Sequence, residues 1–541
     1  MKYLKYIYKK IFVLSSLLMV LTTLSCNDDF LEEVPRSFLS PENAFTDKQG
    51  FEAGLTAIYS QLHDLYSAGG GDFNHRDDYM SFFYGTDIGG YWNKVSYFGD
   101  YNIINSNTPF PRKLWTLLFE IIKDSNTIIT RSDSELAVWK SDEEKAGILA
   151  QARFYRAFAY RYLVYFFGGV PIVDGEISGV KLDFVRNSKA QVLDFMKTDL
   201  EYASQNLPVN NPKDGHLAKA AADHLLAETY ISLGDYDKAI QSATAVIGDG
   251  QYDLMRNRFG AFTDKPGDVF WDLFRLGSQN DQANTEVIWT MQVEFNVPGG
   301  KTNRHERCWG PFLERIKSPD NMQAILKDDF LGRPVGFIKP TEFMETTMWL
   351  SDFNNDMRNS SYNMQREFII NNPASANFGD VIIPTTGELV RNHYVWVKKA
   401  SHPYGHPQGY DTGGNLYSDM YVFRLAETYL LRAEAYVMKG DNTNAAIDIN
   451  EVRDRANATP VAPGDVDIHY VLDERARELI TEEPRQLILR RMGLLEERVK
   501  LYNPVSATTI TARDQLLPIP QAEIDANLEA DLGQNPGYDG Q

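Results

Sequence analysis

Cysteine is nearly absent. Cys26 and Cys308 are the only two in 541 residues, so no disulfide framework holds this chain together, and cysteine usage alone leaves the compartment open. Basic residues are outnumbered, with 54 Lys and Arg against 74 Asp and Glu. The resulting formal net charge of −20 excludes nucleic acid as a partner, because phosphate binding needs a basic footprint. No apolar run is long enough to span a membrane: the stretch 11–24 would rise about 21 Å as a helix, against a hydrocarbon core of about 30 Å. Motifs of covalent chemistry are missing too. There is no Gly-x-Ser-x-Gly, no His-Glu-x-x-His, no phosphate-binding Walker loop and no Gly-x-Gly-x-x-Gly after a strand. The nine histidines do not cluster at metal-ligand spacing. A glycosidase needs only two carboxylates and stays open as an alternative.

Helical hairpins are present. Residues 217–248 read as two helices around a tight turn. Leu217, Ala221 and Leu225, with Ala222, Leu226 and Tyr230, recur at i, i+4 and form apolar stripes. Gly234 ends the first helix and Asp235 caps the second. The pattern Ala227-Glu228-x-Tyr230-x3-Gly234-Asp235 returns as Ala433-Glu434-x-Tyr436-x3-Gly440-Asp441, which marks a tetratricopeptide-like repeat. One hairpin cannot bury its own apolar face, so several are expected to stack. Further helices are predicted at 42–66, 114–130, 142–167, 189–206, 420–438, 444–455 and 473–498. Short strands are predicted at 286–293 and 393–397. The charged run from Arg475 to Arg498 is explained by salt-bridged helix faces.

Residues 1–25 read as a signal peptide, with Lys2, Lys5, Lys9 and Lys10 leading an apolar stretch. Thr23-Leu24-Ser25-Cys26 resembles a bacterial lipoprotein signal, with acyl chains carried on Cys26. The Asn27-Asp28-Asp29 that follows resembles the surface-export signal of Bacteroidetes lipoproteins. These expectations place the protein on the outer membrane, lipid-anchored and facing the cell exterior.

A set of stretches, in order, resembles the SusD/RagB family of nutrient-binding lipoproteins. They are the Cys26 signal, Ala152-Arg153-Phe154-Tyr155-Arg156-Ala157, Gly168-Gly169-Val170-Pro171, the hairpin at 217–248, and Arg424-Leu425-Ala426-Glu427-Thr428-Tyr429. Ile449-Asn450-Glu451-Val452-Arg453, Glu474-Arg475-Ala476-Arg477-Glu478-Leu479, Leu517-Pro518-Ile519-Pro520 and Gln534-Asn535-Pro536-Gly537-Tyr538 complete the set. One departure stands out: Glu483-Pro484-Arg485-Gln486-Leu487 lacks the Asp-Leu pair usual there, from which altered local packing and unchanged function are expected. The resemblance implies a mostly α fold of about four tetratricopeptide-like hairpins, with an irregular, loop-rich region carrying short strands. It implies one domain over 26–541, with the scaffold at 42–66, 112–248 and 418–500 and the ligand-binding loops at 72–111 and 249–415. It also implies a SusC-like TonB-dependent outer-membrane transporter as partner, and an oligosaccharide or polysaccharide as ligand. Peptides are the alternative within the family, and a helical-repeat scaffold binding another protein is the third reading. No cofactor or metal is expected.

Capture of a glycan needs aromatic faces for the CH surfaces of sugar rings and polar groups for their hydroxyls. Tyr91, Trp92 and Tyr97 in the first loop region, and Trp309 and Trp349 in the second, are the candidate stacking residues. Asp87, Asn93 and Arg304 are the candidate polar partners. Trp271 and Trp289, flanked by strand-like apolar residues, are expected in the core. Asp352-x-Asn354-x-Asp356 opens like a calcium loop but has Met357 where glycine is needed, so a solvated loop is expected there. Cys308 is read as a free thiol without function.

Overall fold

The computed structural model describes Tyr3 and residues 44–66, 79–91, 98–294, 297, 299–405 and 415–538. Apart from Tyr3, residues 1–25, expected to be a signal peptide, lie outside the described residues, as does Cys26. Eight longer helices make the scaffold: α1 Lys48–His63, α2 Pro109–Arg131, α3 Asp142–Phe167, α4 Lys189–Asn206, α5 Lys219–Leu233, α6 Tyr236–Ile247, α7 Leu425–Lys439 and α8 Asn442–Arg455. They pair as four hairpins, and each hairpin packs on the next: α2 on α3, α4 on α5, α6 on α7. The tetratricopeptide-like stack is therefore continuous, although the loop-rich region is inserted between α6 and α7.

Local chemistry sets the helix ends. The Ser141 side chain accepts the Glu144 N–H at the start of α3, and Asp142, Glu143 and Glu144 face the positive end of its dipole. Ser188 and Gln191 form a reciprocal capping box on α4. The sequence echo is also an echo of geometry. Gly234 and Gly440 end α5 and α7 in the left-handed region at φ 79° and 82°, and Asp235 and Asp441 cap the helices that follow.

Every residue from Phe154 to Phe167 is buried, so α3 is the central post of the core. Such burial requires its charges to be matched. Arg156 grips Asp199 at 2.8 and 2.7 Å, and Arg161 grips Glu228 at 2.7 and 2.6 Å. Trp289 packs edge-on to Phe154 and Phe158, each at 5.3 Å, and Trp271 lies over Arg275, so both tryptophans belong to the interior as expected.

Two helix assignments need correction. Residues 420–424 are not helical: Met420–Arg424 is a strand that pairs antiparallel with Val287–Met291, and helix α7 starts at Leu425. The run Met-Tyr-Val-Phe-Arg is buried on both faces, and its aromatic and β-branched side chains suit a sheet. The helix predicted at 473–498 is three: α9 Ile468–Leu479, α10 Arg485–Arg491 and α11 Leu495–Tyr502. Thr481 at φ 73°, Pro484 and Gly493 at φ 74° break it.

The charged run is ion-paired, and much of the pairing lies in the interior. Arg424 meets Glu286 at 3.1 Å and Glu478 at 2.6 Å. Arg455 pairs with the same two glutamates. Arg358 reaches Glu474, Glu478 and Asp356 at 2.8, 3.0 and 2.7 Å. Burial alone would push Glu478 up, but Arg455, Arg424 and Arg358 hold it well below the usual carboxylate range. This network also overturns the solvated-loop expectation for 352–356. Asp352 is buried and accepts from Arg453 at 2.5 Å, and Asp356 is buried against Arg358. Cys308 is buried and unbridged. No helix among the described residues is long and apolar enough to cross a membrane.

Candidate functional site

The loop-rich region opens a cleft of about 320 Å³, lined by Leu276, Gly277, Val293, Glu294, Gly405, Tyr417, Ser418 and Asp419. Its floor belongs to the segment leading into strand 420–424. That segment is held in place by a two-way bridge, Asn303 N–H to Leu416 O at 2.9 Å and Leu416 N–H to Asn303 O at 2.7 Å. Asp419 is fixed by two donors, the Val293 N–H at 2.8 Å and the Asn280 amide at 2.7 Å. Burial pushes its carboxyl up to about 6, the Val293 bond opposes this, and Glu294 and Asp214 add to the rise. Behind Ser418 and Asp419 lies a smaller polar chamber of about 40 Å³, into which Gln279, Asn303, His305 and His402 face. His402 Nε2 sits 2.6 Å from the Ser418 hydroxyl.

An aromatic pair adjoins the lining through the Tyr404–Gly405 peptide. Tyr404 precedes Gly405 of the lining, and its ring is 5.4 Å from that of Phe330, which is 37% exposed. The Lys398 ammonium sits 4.5 Å over the Phe330 ring and the Lys265 ammonium 5.7 Å over the Tyr404 ring. The cleft thus presents carboxylate and hydroxyl acceptors, an apolar wall at Leu276 and Val293, and aromatic carbon beside them. This combination suits a ligand with both hydroxyls and CH faces. A second cavity of about 340 Å³ lies on the scaffold between α2 and residues 171–184. Trp115, Phe119, Ile122, Phe184 and Leu532 make its walls chiefly apolar, which suits such a ligand less well.

The residues expected from sequence divide into three groups. Arg304 lies beside the cleft, where its Nε donates to Asn415 at 2.8 Å, next to the bridge at Asn303. Tyr91 ends a short strand, Gly89–Tyr91, paired with Ile338–Pro340; its side chain, and all of Trp92, Asn93 and Tyr97, lie outside the described residues. Trp309, Trp349 and Asp87 are corrections. Trp309 is fully buried with its ring 5.1 Å from Phe83, and Trp349 is buried with Nε1 donating to Met344 O at 2.9 Å, so neither offers a face to a ligand. Asp87 is buried and taken by two arginines. Burial raises its carboxyl, but Arg485 and Arg498 hold it below the usual range. Asp419, Glu294, Tyr417, Phe330 and Tyr404 were missed. The signal near Tyr404 is the turn-rich stretch His402-Pro403-Tyr404-Gly405-His406-Pro407, which carries no tryptophan to draw attention.

Comparison with known proteins follows this geometry. A sequence model described as the SusD family matches residues 285–538, and one described as starch-binding associating with outer membrane matches residues 29–231. SusD-like protein P25 of Formosa agariphila is 24% identical, over 96% of this chain and 98% of its own. Starch-binding protein SusD of Bacteroides thetaiotaomicron is 25% identical, over 74% of each chain. Among solved structures, a laminarin-binding SusD-like protein superposes with a TM-score of 0.69 at 20% identity, covering 91% of this chain and 100% of the other. Surface glycan-binding protein A of Bacteroides thetaiotaomicron, in complex with laminarihexaose, gives a TM-score of 0.68 at 20% identity, with the same coverage. The two family models match opposite ends of the chain, and the solved SusD-like structures share its fold: this chain belongs to the SusD/RagB family.

Proposed function

We propose that this protein captures an oligosaccharide at the cell surface and delivers it to a SusC-type TonB-dependent outer-membrane transporter. The observation that carries the reading is the cleft at Asp419, where fixed acceptors lie near the Phe330–Tyr404 pair, with Phe330 exposed, in a chain that shares its fold with a protein described as laminarin-binding and is similar in sequence to one described as starch-binding. Hydroxyls of the sugar donate to Asp419, Glu294 and Ser418, and its CH faces lie on aromatic rings. Tyr91, Trp92, Asn93 and Tyr97 remain candidates to complete the aromatic surface. Arg304 positions the segment that forms the floor. The protein binds without turnover. One SusD-like domain, 26–541, follows a signal peptide that ends before Cys26, and lipid on Cys26 holds it to the outer membrane.

In a lid mechanism, a ligand bridging the protein and the transporter favours the closed state through its higher affinity for that state. Titration calorimetry of the form beginning after Cys26, against plant, host and fungal glycans and against peptides, tests the reading. Phe330→Ala and Trp92→Ala serve as site controls. A glycan titration lost in Phe330→Ala supports the cleft. Binding of peptides alone overturns the glycan assignment, and hydrolysis of a bound glycan overturns the reading as a binding protein.

A further inference from the structure

A hairpin outside the cleft is apolar on both faces. Residues 366–371 and 379–383 run antiparallel, with Ile369 opposite Val381. The Ile382 N–H donates to Phe368 O at 2.8 Å, and the Ile370 N–H to Asp380 O and the Gly379 N–H to Ile370 O, each at 2.9 Å. Side chains alternate across such a pair. Phe368, Ile370 and Ile382 turn inward, to a small core with Ile325, Leu331 and Trp396. The outward set is apolar too. Ile369, Val381 and Ile383 are 55, 51 and 89% exposed, and Phe378, in the connection, is 60% exposed. An antiparallel pair with one face on a core ordinarily turns polar side chains to water. An apolar outer face marks a surface that meets a partner.

The outer edge of the hairpin is open as well. In this register the N–H and C=O of Val381 and Ile383 point away from residues 366–371, and neither backbone is hydrogen-bonded within the described residues. Such an edge is a template for one more strand. Asp380 before it and Pro384 after it confine the addition to a short stretch.

Charge narrows the occupant. Residues 367–390 hold Glu367, Asp380 and Glu388 and no Lys, Arg or His. Glu367 and Asp380 are exposed. The flanking arginines are turned onto the protein's own backbone: Arg366 donates to the carbonyls of Met364 and Glu345, and Arg391 to those of Val335 and Gly336. The neighbouring segment 317–323 carries Lys317 and Asp320 and adds no net charge, and Lys327 pairs with Glu314 at 3.3 Å. A second copy of this chain would set the same carboxylates against one another, on a molecule whose formal net charge is already −20.

We infer that the edge at Val381–Ile383 takes an extended segment of a partner protein as an added β-strand, with apolar side chains at alternate positions and Lys or Arg at its ends. Main-chain bonds to Val381 and Ile383 supply the pairing, the apolar side chains lie on the face of Ile369, Val381 and Ile383, and the basic ends meet Glu367 and Asp380. The surface shares no residue with the lining of the glycan cleft.

The probes are heptapeptides with acetylated and amidated ends, Lys at both termini and Val, Ile or Tyr alternating with Thr between. Each carries a fluorophore and is titrated into the full chain in detergent beside a counterpart with Glu at both termini. The expected result is binding of a Lys-ended peptide, with its Glu-ended counterpart about tenfold weaker. Amide exchange at Val381 and Ile383 slows on saturation. Val381→Pro removes an outward N–H, leaves the three internal bonds in place and abolishes binding. Ile383→Ser, at a side chain that is 89% exposed, keeps the fold and weakens binding about threefold. Failure of every Lys-ended peptide overturns the inference, as do equal binding of both charge forms and binding that the two variants leave intact. Sedimentation of the chain alone as a dimer that Val381→Pro dissociates also overturns it, by making the occupant a second copy.

Discussion

Arg485 holds Asp87 at two points, Nε to Oδ1 at 2.8 Å and Nη2 to Oδ2 at 2.7 Å, across 398 positions of sequence. Arg498 adds a third bond, Nε to Oδ2 at 2.9 Å. The carboxylate that sequence reasoning offered to a ligand is the knot that ties the first loop region to the C-terminal helices. Arg485→Ala leaves a buried carboxylate half-compensated and is expected to cost about 3–5 kcal/mol, read by denaturant unfolding. The sign with pH follows from a carboxyl held low in the folded state. The contribution is present above the usual carboxylate range and lost as pH falls below it, so the gap between wild type and variant should shrink from about pH 5 downward.

Glu478 serves Arg424, Arg455 and Arg358 together. Glu478→Ala takes one carboxylate from each of three buried guanidiniums, leaving their other partners in place, and is expected to lower stability by several kcal/mol, on the order of 3–5. Arg256, on the surface with Glu451 at 3.0 Å and Asp454 at 2.5 Å, is the contrast: Arg256→Ala should change stability by less than about 1 kcal/mol. Parallel urea titrations of the two variants check both halves.

Burial separates two aromatic substitutions. Trp309→Ala empties a filled site in the core and is expected to cost about 3–5 kcal/mol. Phe330→Ala removes an exposed ring beside Tyr404 and should leave the melting temperature within a few degrees, while weakening glycan affinity about tenfold. Thermal melts and calorimetry on the same samples would contradict this assignment if Trp309→Ala melted normally and lost binding alone.

Asp419 runs opposite to Asp87. Burial raises its carboxyl to about 6, so its charged form is disfavoured in the fold. The resulting destabilisation is present above pH 6 and is relieved as pH falls through 6 toward the ordinary value of 3.8. Asp419→Asn is therefore expected to raise the melting temperature at pH 7.5, with the gain shrinking toward pH 4. A gain that is constant with pH would show that the carboxyl titrates normally.

Local signals made much of the scaffold legible. Helices α3 and α4 were placed to the residue because Ser141, Ser188 and Gly168 mark their ends by side-chain caps and a left-handed glycine. The two Gly-Asp turns disclosed the hairpins for the same reason. Partners distant in sequence hid the rest. Residues 420–424 run directly into the helical periodicity of α7, which masks their own strand character until the partner strand at Val287–Met291 is seen. Asp352 and Asp356 looked solvated because Arg453 and Arg358, which bury them, cannot be inferred from spacing. The cleft was missed for a related reason. Leu276, Glu294, Gly405 and Asp419 come from four separate stretches, and tryptophan counts pointed at Trp309 and Trp349, whose size suits the core.

The tail binds far back along the chain. Leu517 N–H donates to Phe166 O at 2.6 Å, and the Asn535 amide donates to Phe167 O at 3.0 Å and to Leu517 O at 2.7 Å. Arg186 in turn donates to Asn535 at 2.6 Å. The carbonyl end of the central post is thus satisfied by residues far downstream of it. Helical hairpins can close locally, but the end of α3 stays open until this distant segment docks. Removal of residues 532–541 should therefore trap a partly packed intermediate, visible as exposed α3 in hydrogen exchange, rather than simply trim a loose end.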